Sequence, residues 1–293
     1  MGQPLTGVLR PLPHYLALWN LRDPEPLAQT PRSDVYTVTR KGTHGDDRVV
    51  LKLLTAEGAE DEDDGALALQ YYGGNGAVRL LDRAEGAHLM EYAGDEELAE
   101  VVWRGDDLDA AAIIADVLNK LHAPRPGVPV PAMRTLRRRF RDLFRQAERD
   151  QAAGDNSIYV RGARMAEHLL TTAHDEVILH GDMQHHNVRR HPERGWLAYD
   201  AKGLFGERTY DAANTLCNPC NASALVTSEA RFLAVSDVLA KGMGLPVGRL
   251  RAFVFAYACL SVVWSGVDDT SSATRETLIV AQFAEPHALP DML

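Results

Sequence analysis

Val177–Gly203 reads VILHGDMQHHNVRRHPERGWLAYDAKG and sets three polar side chains at fixed intervals. His180-Gly181-Asp182 is followed by a four-residue spacer and Asn187, and Asp200 stands thirteen residues further on, ahead of Ala201-Lys202-Gly203. Val177–Leu179 and Trp196–Tyr199 are short apolar runs that predict buried strands, so Asp182 and Asp200 each emerge just past a strand end and can converge on one ion. Phosphoryl transfer asks a protein chiefly for positioning and charge neutralisation. Asp182 supplies a carboxylate to accept a hydroxyl proton, and Asn187 with Asp200 supplies hard oxygen ligands that, with ATP phosphates and water, suffice for Mg2+. Taken singly, an Asp after Gly caps a turn and an Asn takes a left-handed conformation. The three together at these offsets favour chemistry over turn-making.

The Asp182-to-Asn187 interval is that of the protein-kinase catalytic loop, and Asp200 corresponds to the second kinase aspartate without its Phe-Gly. HGDMQHHN, DAKGLFGERTYDAAN and the upstream GAVRLLDRAEGAHLMEYAG resemble the aminoglycoside phosphotransferase superfamily, most closely its streptomycin 6-phosphotransferase and hydroxyurea phosphotransferase branch. The likeness runs from about Val49 to about Trp264 and includes the late segment Tyr257–Trp264. It implies an α+β, protein-kinase-like fold of two lobes and ATP-dependent phosphorylation of a drug hydroxyl, with streptomycin first, hydroxyurea second and a metabolite kinase of the same fold as the alternative. Two positions depart from the family pattern: Ala201, where proline usually stands, and Met183-Gln184 in place of Leu-His. Neither removes a reacting group.

Size and composition agree with a two-lobed enzyme. The chain has 293 residues, 45% of them hydrophobic, enough for a substantial core. Three cysteines make no disulfide framework and predict a reducing compartment, the cytoplasm. The formal net charge of −10 argues against a nucleic-acid surface and suits a cationic small substrate. The longest apolar stretch, Ala252–Trp264, is 13 residues and too short to span a bilayer, so it is expected as a core helix. Met1–Thr6 matches the bare myristoylation pattern, but without a polybasic patch or second lipid signal no membrane anchoring is expected. A monomer is expected.

Along the chain, 34–39 and 48–53 predict a hairpin around the turn-rich 41–47. An acidic run, 57–64, leads into a helix over 66–72 that Gly73-Gly74-Asn75-Gly76 stops; with no Gly-Lys-Ser/Thr following, these glycines are not a Walker loop. Strands over 77–81 and 88–92 complete a small antiparallel sheet carrying one helix, and residues 1–93 are expected to form the nucleotide-binding lobe. Residues 94–293 form the helical lobe with catalytic loop and acceptor site, with helices over 106–121, 135–151, 160–172, 228–241, 248–264 and 274–283. The four prolines of 124–131 predict an extended connector.

Lys52 lies near the end of an apolar strand, where its stem is buried and its ammonium reaches phosphate; the resemblance makes it the nucleotide lysine, held by Glu62, with Asp61, Asp63 and Asp64 as rivals. Glu91, Tyr92 and Ala93 are the expected adenine-pairing hinge, and the Ser33 N–H in the turn 30–34 is expected at the phosphates. Asp211 is expected to brace the catalytic loop and His180 to anchor it. Lys202 either neutralises phosphate or is solvated. Glu229, Asp268, Asp269 and Glu276 are the carboxylates offered to a cationic aminoglycoside. Two rival classes remain: a zinc hydrolase on His180, Asp182, His185 and His186, which lacks any H-E-x-x-H spacing, and a regulatory pseudokinase, which retention of Lys52, Asp182, Asn187 and Asp200 disfavours. Cys217-Asn218-Pro219-Cys220 has no second cysteine pair to make a zinc site.

Overall fold

The structure, a computed structural model, describes residues 8–42 and 45–288, with backbone alone at 57 and 59–62. The Met1–Thr6 pattern lies outside the described residues.

The first part of the chain runs α1 (Leu12–Leu18), β1 (Leu21–Gln29), β2 (Ser33–Lys41), β3 (Asp46–Leu54), α2 (Ala56–Tyr72), β4 (Leu80–Ala84) and β5 (Ala87–Glu91). The strands form one antiparallel sheet in the order β1-β2-β3-β5-β4. β3 is central, and its second half, Val49 to Leu54, is almost wholly buried, which accounts for its apolar run. Tyr15 of α1 joins Val38, Leu51 and Leu89 in a small core under the sheet. The sheet therefore carries α1 as well as the expected helix.

α2 begins where the Thr55 hydroxyl accepts from Gly58 N–H at 3.1 Å, and it takes in the whole acidic run, because carboxylates suit a helix N-terminus. It ends at Gly73, whose φ of 55° is the left-handed stop that glycine allows. Its buried residues Ala68, Leu69 and Tyr72 belong to the larger core of the second lobe, and Tyr72 Oη donates to Ile178 O at 3.2 Å. α2 thus bridges the lobes.

The rest of the chain runs α3 (Leu98–Trp103), α4 (Asp107–Leu121), β6 (Arg134–Thr135), α5 (Leu136–Arg139), α6 (Arg141–Ala152), α7 (Ile158–Thr171), β7 (Glu176–Leu179), β8 (Val188–His191), β9 (Gly195–Ala198), β10 (Leu204–Glu207), α8 (Ser223–Val226), α9 (Glu229–Met243), α10 (Val247–Ser265) and α11 (Ser272–His287). A 3-10 turn, Arg208–Cys217, follows β10. β6, β10 and β7 form a three-stranded sheet and β8 pairs with β9.

α10 has 19 residues, one more at each end than the expected 248–264, and by length and composition alone could cross a membrane. It packs instead as the central helix of the lobe: Phe253, Val254, Phe255, Ala256, Ala258 and Leu260 are at most 1% exposed. Arg249 at its start is tied to Glu207 by Nε–Oε1 at 2.6 Å and Nη2–Oε2 at 2.5 Å, a buried charge pair that also reaches the Leu169 and Thr172 carbonyls at the end of α7. Each guanidinium nitrogen has an acceptor, Nη1 finding Thr172 Oγ1 at 3.1 Å, as burial of the group demands.

Candidate active site

β7 and β9 end side by side under the sheet, and the two aspartates leave them as expected: Asp182 three residues beyond β7, Asp200 two beyond β9. Between them His180 acts as a clamp. Its Nε2 lies 2.9 Å from Tyr199 O, its Nδ1 accepts from the Asp182 N–H at 3.3 Å, and its carbonyl accepts from the Lys202 N–H at 2.7 Å. The partners place the ring proton on Nε2, leaving no nitrogen for base catalysis. Below it, Asp211 is 1% exposed and accepts from the His180 and Gly181 N–H groups at 2.8 and 2.7 Å and from His122 Nε2 at 2.8 Å. The catalytic loop thus hangs on one buried carboxylate.

Asp182 is fixed at both oxygens. Asn214 Nδ2 donates to Oδ1 at 2.8 Å and Asn187 Nδ2 to Oδ2 at 3.2 Å, with a second bond from Asn187 Nδ2 to the Asp182 carbonyl at 2.8 Å. Burial pushes the Asp182 carboxyl above its usual range, against the pull of Lys202, His180 and Arg139. Because the Asn187 amide nitrogen is committed to Asp182, its carbonyl oxygen remains for a cation. Asp200 has φ of 58°. Its Oδ1 accepts from Lys52 Nζ at 2.6 Å and its Oδ2 from Lys202 Nζ at 2.9 Å. Burial would raise this carboxyl, but the two lysines outweigh burial and hold it well below the usual carboxylate range. Two hard-oxygen donors facing one cavity fit a divalent cation that takes its remaining ligands from phosphate and water.

That cavity, about 560 Å3, lies between the lobes. Val35, Val50, Val78 and Met90 give it apolar walls suited to a planar base, and Lys52, Asn187, Asp200 and Lys202 form its polar end. Glu91, Tyr92 and Ala93 line it where the chain passes between lobes, and Ser33 lines its roof. The Ser33 N–H differs from expectation: it already donates to Thr30 Oγ1 at 3.0 Å, within the turn that closes β1 onto β2. Glu91 accepts from Arg79 N–H at 2.9 Å and is held by Arg194. The Glu62 and Asp61 side chains lie outside the described residues. Asp64, a rival partner for Lys52, is taken by Arg134 Nε at 2.6 Å.

The four expected acceptor acids lie on α9, on α11 and in the loop after α10, two of them engaged by neighbouring side chains. Glu229 meets His287 Nε2 at 3.1 Å, and Asp269 accepts from the Ser271 and Thr274 hydroxyls at 2.7 and 2.5 Å, beside the Ser271 cap of α11. Asp268 and Asp269 line a separate cavity of about 530 Å3 with Trp264, Arg145 and Arg149. Glu276 is half-buried on α11 near Cys220, whose thiol the hydrogen bond with His186 lowers against the opposing charge of Glu276. What the sequence did not single out lies at the catalytic loop: Asn214, and Arg139, whose guanidinium stacks 4.2 Å over Trp264 and donates to Gly181 O at 3.4 Å. Asn214 stands three residues after Asp211 in the 3-10 turn, the one local hint of its role.

The zinc reading finds no support: among the described residues no group of three His, Cys, Asp or Glu side chains could hold a metal. His185 is fully buried behind the loop. Cys217, Cys220 and Cys259 are free thiols, and burial pushes Cys217 up to about 12.

A family model described as aminoglycoside/hydroxyurea antibiotic resistance kinase matches residues 18–269. The chain belongs to this kinase family. Among relatives, the streptomycin 3''-kinase of Klebsiella pneumoniae is 36% identical over 224 residues, covering 75% of this chain and 80% of the relative. The streptomycin 6-kinase of Streptomyces griseus is 26% identical over 260 residues, covering 81% of each. The solved structure of amicoumacin kinase hAmiN in complex with AMP-PNP, Ca2+ and Ami superposes with TM-score 0.55 at 14% identity, covering 90% of this chain and 87% of that one. The kinase family and the two-lobed fold expected from the motifs are therefore shown. The 3''-kinase exceeds the 6-kinase in identity, against the order the motifs suggested.

Proposed function

We propose that the protein transfers the γ-phosphoryl group of ATP to a hydroxyl of streptomycin. The observation that carries this reading is the convergence of Asn187, Asp200, Lys52 and Lys202 on one end of the interlobe cavity, with Asp182 bonded to Asn187 at its edge. A metal ion such as Mg2+, when bound, would screen the phosphate charge, with the Asn187 carbonyl oxygen and Asp200 as its protein ligands. Lys52 orients the phosphates, and the apolar walls take the base against the hinge 91–93. Asp182, held by two amides, orients the acceptor hydroxyl and takes its proton as the new P–O bond forms and the γ-phosphorus bond to the ADP oxygen breaks, releasing ADP. The presence of AMP-PNP and Ca2+ in the amicoumacin kinase structure supports a nucleotide with a divalent cation in this fold.

Streptomycin is favoured by both relatives, and the 36% identity favours its 3''-hydroxyl over the 6-hydroxyl. Three free thiols support work in a reducing compartment such as the cytoplasm. An ADP-release assay across streptomycin, other aminoglycosides, hydroxyurea and simple sugars tests the substrate. Streptomycin should give the highest kcat/KM, and two-dimensional NMR should find the phosphate on the 3'' carbon. Turnover confined to hydroxyurea or a sugar would overturn the substrate, and phosphate on the 6 carbon would overturn the position.

A further inference from the structure

Arg139 is the last residue of α5, and the break at Phe140 that parts α5 from α6 separates its neighbours. Phe140 turns into the core, Arg141 and Arg145 face solvent, and Arg139 is half-buried against the catalytic loop. Its Nη2 donates to Gly181 O and its Nε to Tyr210 Oη, both at 3.4 Å. The guanidinium carbon lies 4.2 Å from the centre of the Trp264 ring, which Tyr257 braces edge-on with ring centres 6.4 Å apart. Arg139 therefore ties α5, the 3-10 turn and the end of α10 to one carbonyl.

That carbonyl belongs to the peptide that leads into Asp182. Gly181 has φ of 82°, and with no side chain it has nothing of its own to fix how this peptide is turned. Asp211 takes the Gly181 N–H at 2.7 Å and His180 Nδ1 takes the Asp182 N–H at 3.3 Å, and Arg139 holds the carbonyl between them. We propose that Arg139 is a positioning residue for phosphoryl transfer: propped on Trp264, its guanidinium fixes the turn of the Gly181–Asp182 peptide and so the direction from which Asp182 meets the acceptor hydroxyl. The proposal rests on the reading of Asp182 as the base. A planar guanidinium suits the task, since it stacks on an indole and donates in its own plane at once. Arg139 stands outside the lining of the interlobe cavity, so its effect belongs to the acceptor half of the reaction.

Steady-state kinetics with the best acceptor of the ADP-release panel test this. Arg139→Ala should lower kcat by about tenfold to a hundredfold, with KM for ATP and the calorimetric affinity for Mg·AMP-PNP at wild-type values. Ethylguanidinium supplies the atoms that this substitution removes, and at millimolar concentration it should raise the kcat of Arg139→Ala severalfold. Arg139→Met, whose side chain fills the same space, should be as slow and gain nothing, and melting temperatures of both variants guard against misfolding. Wild-type kcat in both variants overturns the proposal, as does a loss of nucleotide affinity matching the loss of kcat, or a kcat of Arg139→Ala that ethylguanidinium leaves unmoved. Asp182→Asn separates the levels. Full turnover in that variant removes the base and the positioning role with it, whereas a slow Asp182→Asn beside a full-speed Arg139→Ala overturns the positioning role alone.

Discussion

Asp182 presents both carboxylate oxygens to amide N–H groups, Asn187 from its own loop and Asn214 from the 3-10 turn beneath, so its orientation is set before any substrate arrives. Removing the donor that is not a proposed metal ligand isolates the effect of orientation. Asn214→Ala should lower kcat by about tenfold to a hundredfold, the worth of one hydrogen bond to a charged group, with KM for ATP unchanged in steady-state kinetics. An unchanged kcat would show the contact idle. His185 offers a prediction on stability. It is fully buried, both ring nitrogens lack hydrogen-bond partners, and burial pushes its pKa from 6.5 down to about 3. Since the folded value lies below the unfolded one, the unfolded chain takes up the proton first as the solution is acidified. Stability is therefore undiminished above about pH 6.5 and declines towards pH 3. Replacement by Phe should reduce the loss of unfolding free energy between pH 7 and pH 5 by about 2 kcal/mol in urea titrations, whereas equal losses would contradict the assignment. Asp182, Asn187 and Asp200 were legible in the sequence because their offsets within one hairpin-like segment are local. Asn214 and Arg139 were not, because they reach the site through space.

At the scale of elements, α2 and the loop after Asp200 approach so closely that side chains are excluded on both. A Cβ at Gly65 would lie 2.0 Å from Ala201 O, and one at Gly203, where φ is 64°, would lie 2.1 Å from Asp64 O. Helix propensity alone favours Gly65→Ala by up to about 1 kcal/mol. The clash reverses that sign: the variant should be destabilised by about 1–3 kcal/mol in thermal melts, with weakened nucleotide binding as α2 pushes the Asp200 loop aside. A raised melting temperature would refute the close approach. The elements read correctly from sequence were those with clear apolar periodicity, such as α4 and α7, or with a continuous apolar run, such as α10. β1 was missed because Pro24 and Pro26 break its alternation and only Leu21 is buried, the pattern of a bulged edge strand. The segment 135–151, expected as one helix, divides at Phe140, where ψ falls to 0° and the ring turns into the core. α1 and α3, of seven and six residues, are too short to show a period.

In the whole molecule, two lobes of unlike construction meet along a cavity whose ceiling is a sheet and whose floor is the loops beyond β7 and β9. The two-lobed construction was legible in the strand-like segments that precede the run of long helical ones. The acceptor side was not, because the acids of α9 and α11 and of the loop after α10 looked equally available in sequence, and only folding shows Asp269 engaged by Ser271 and Thr274 and Glu229 by His287. The central claim is that Asp182 takes the acceptor proton while other residues hold the nucleotide. Asp182→Asn keeps shape and hydrogen-bonding reach but not the base. Calorimetry with Mg·AMP-PNP and ADP release with streptomycin, measured on this one variant, should give unchanged nucleotide affinity and a kcat lower by about 10²–10⁴-fold. Full turnover in the variant would contradict the account.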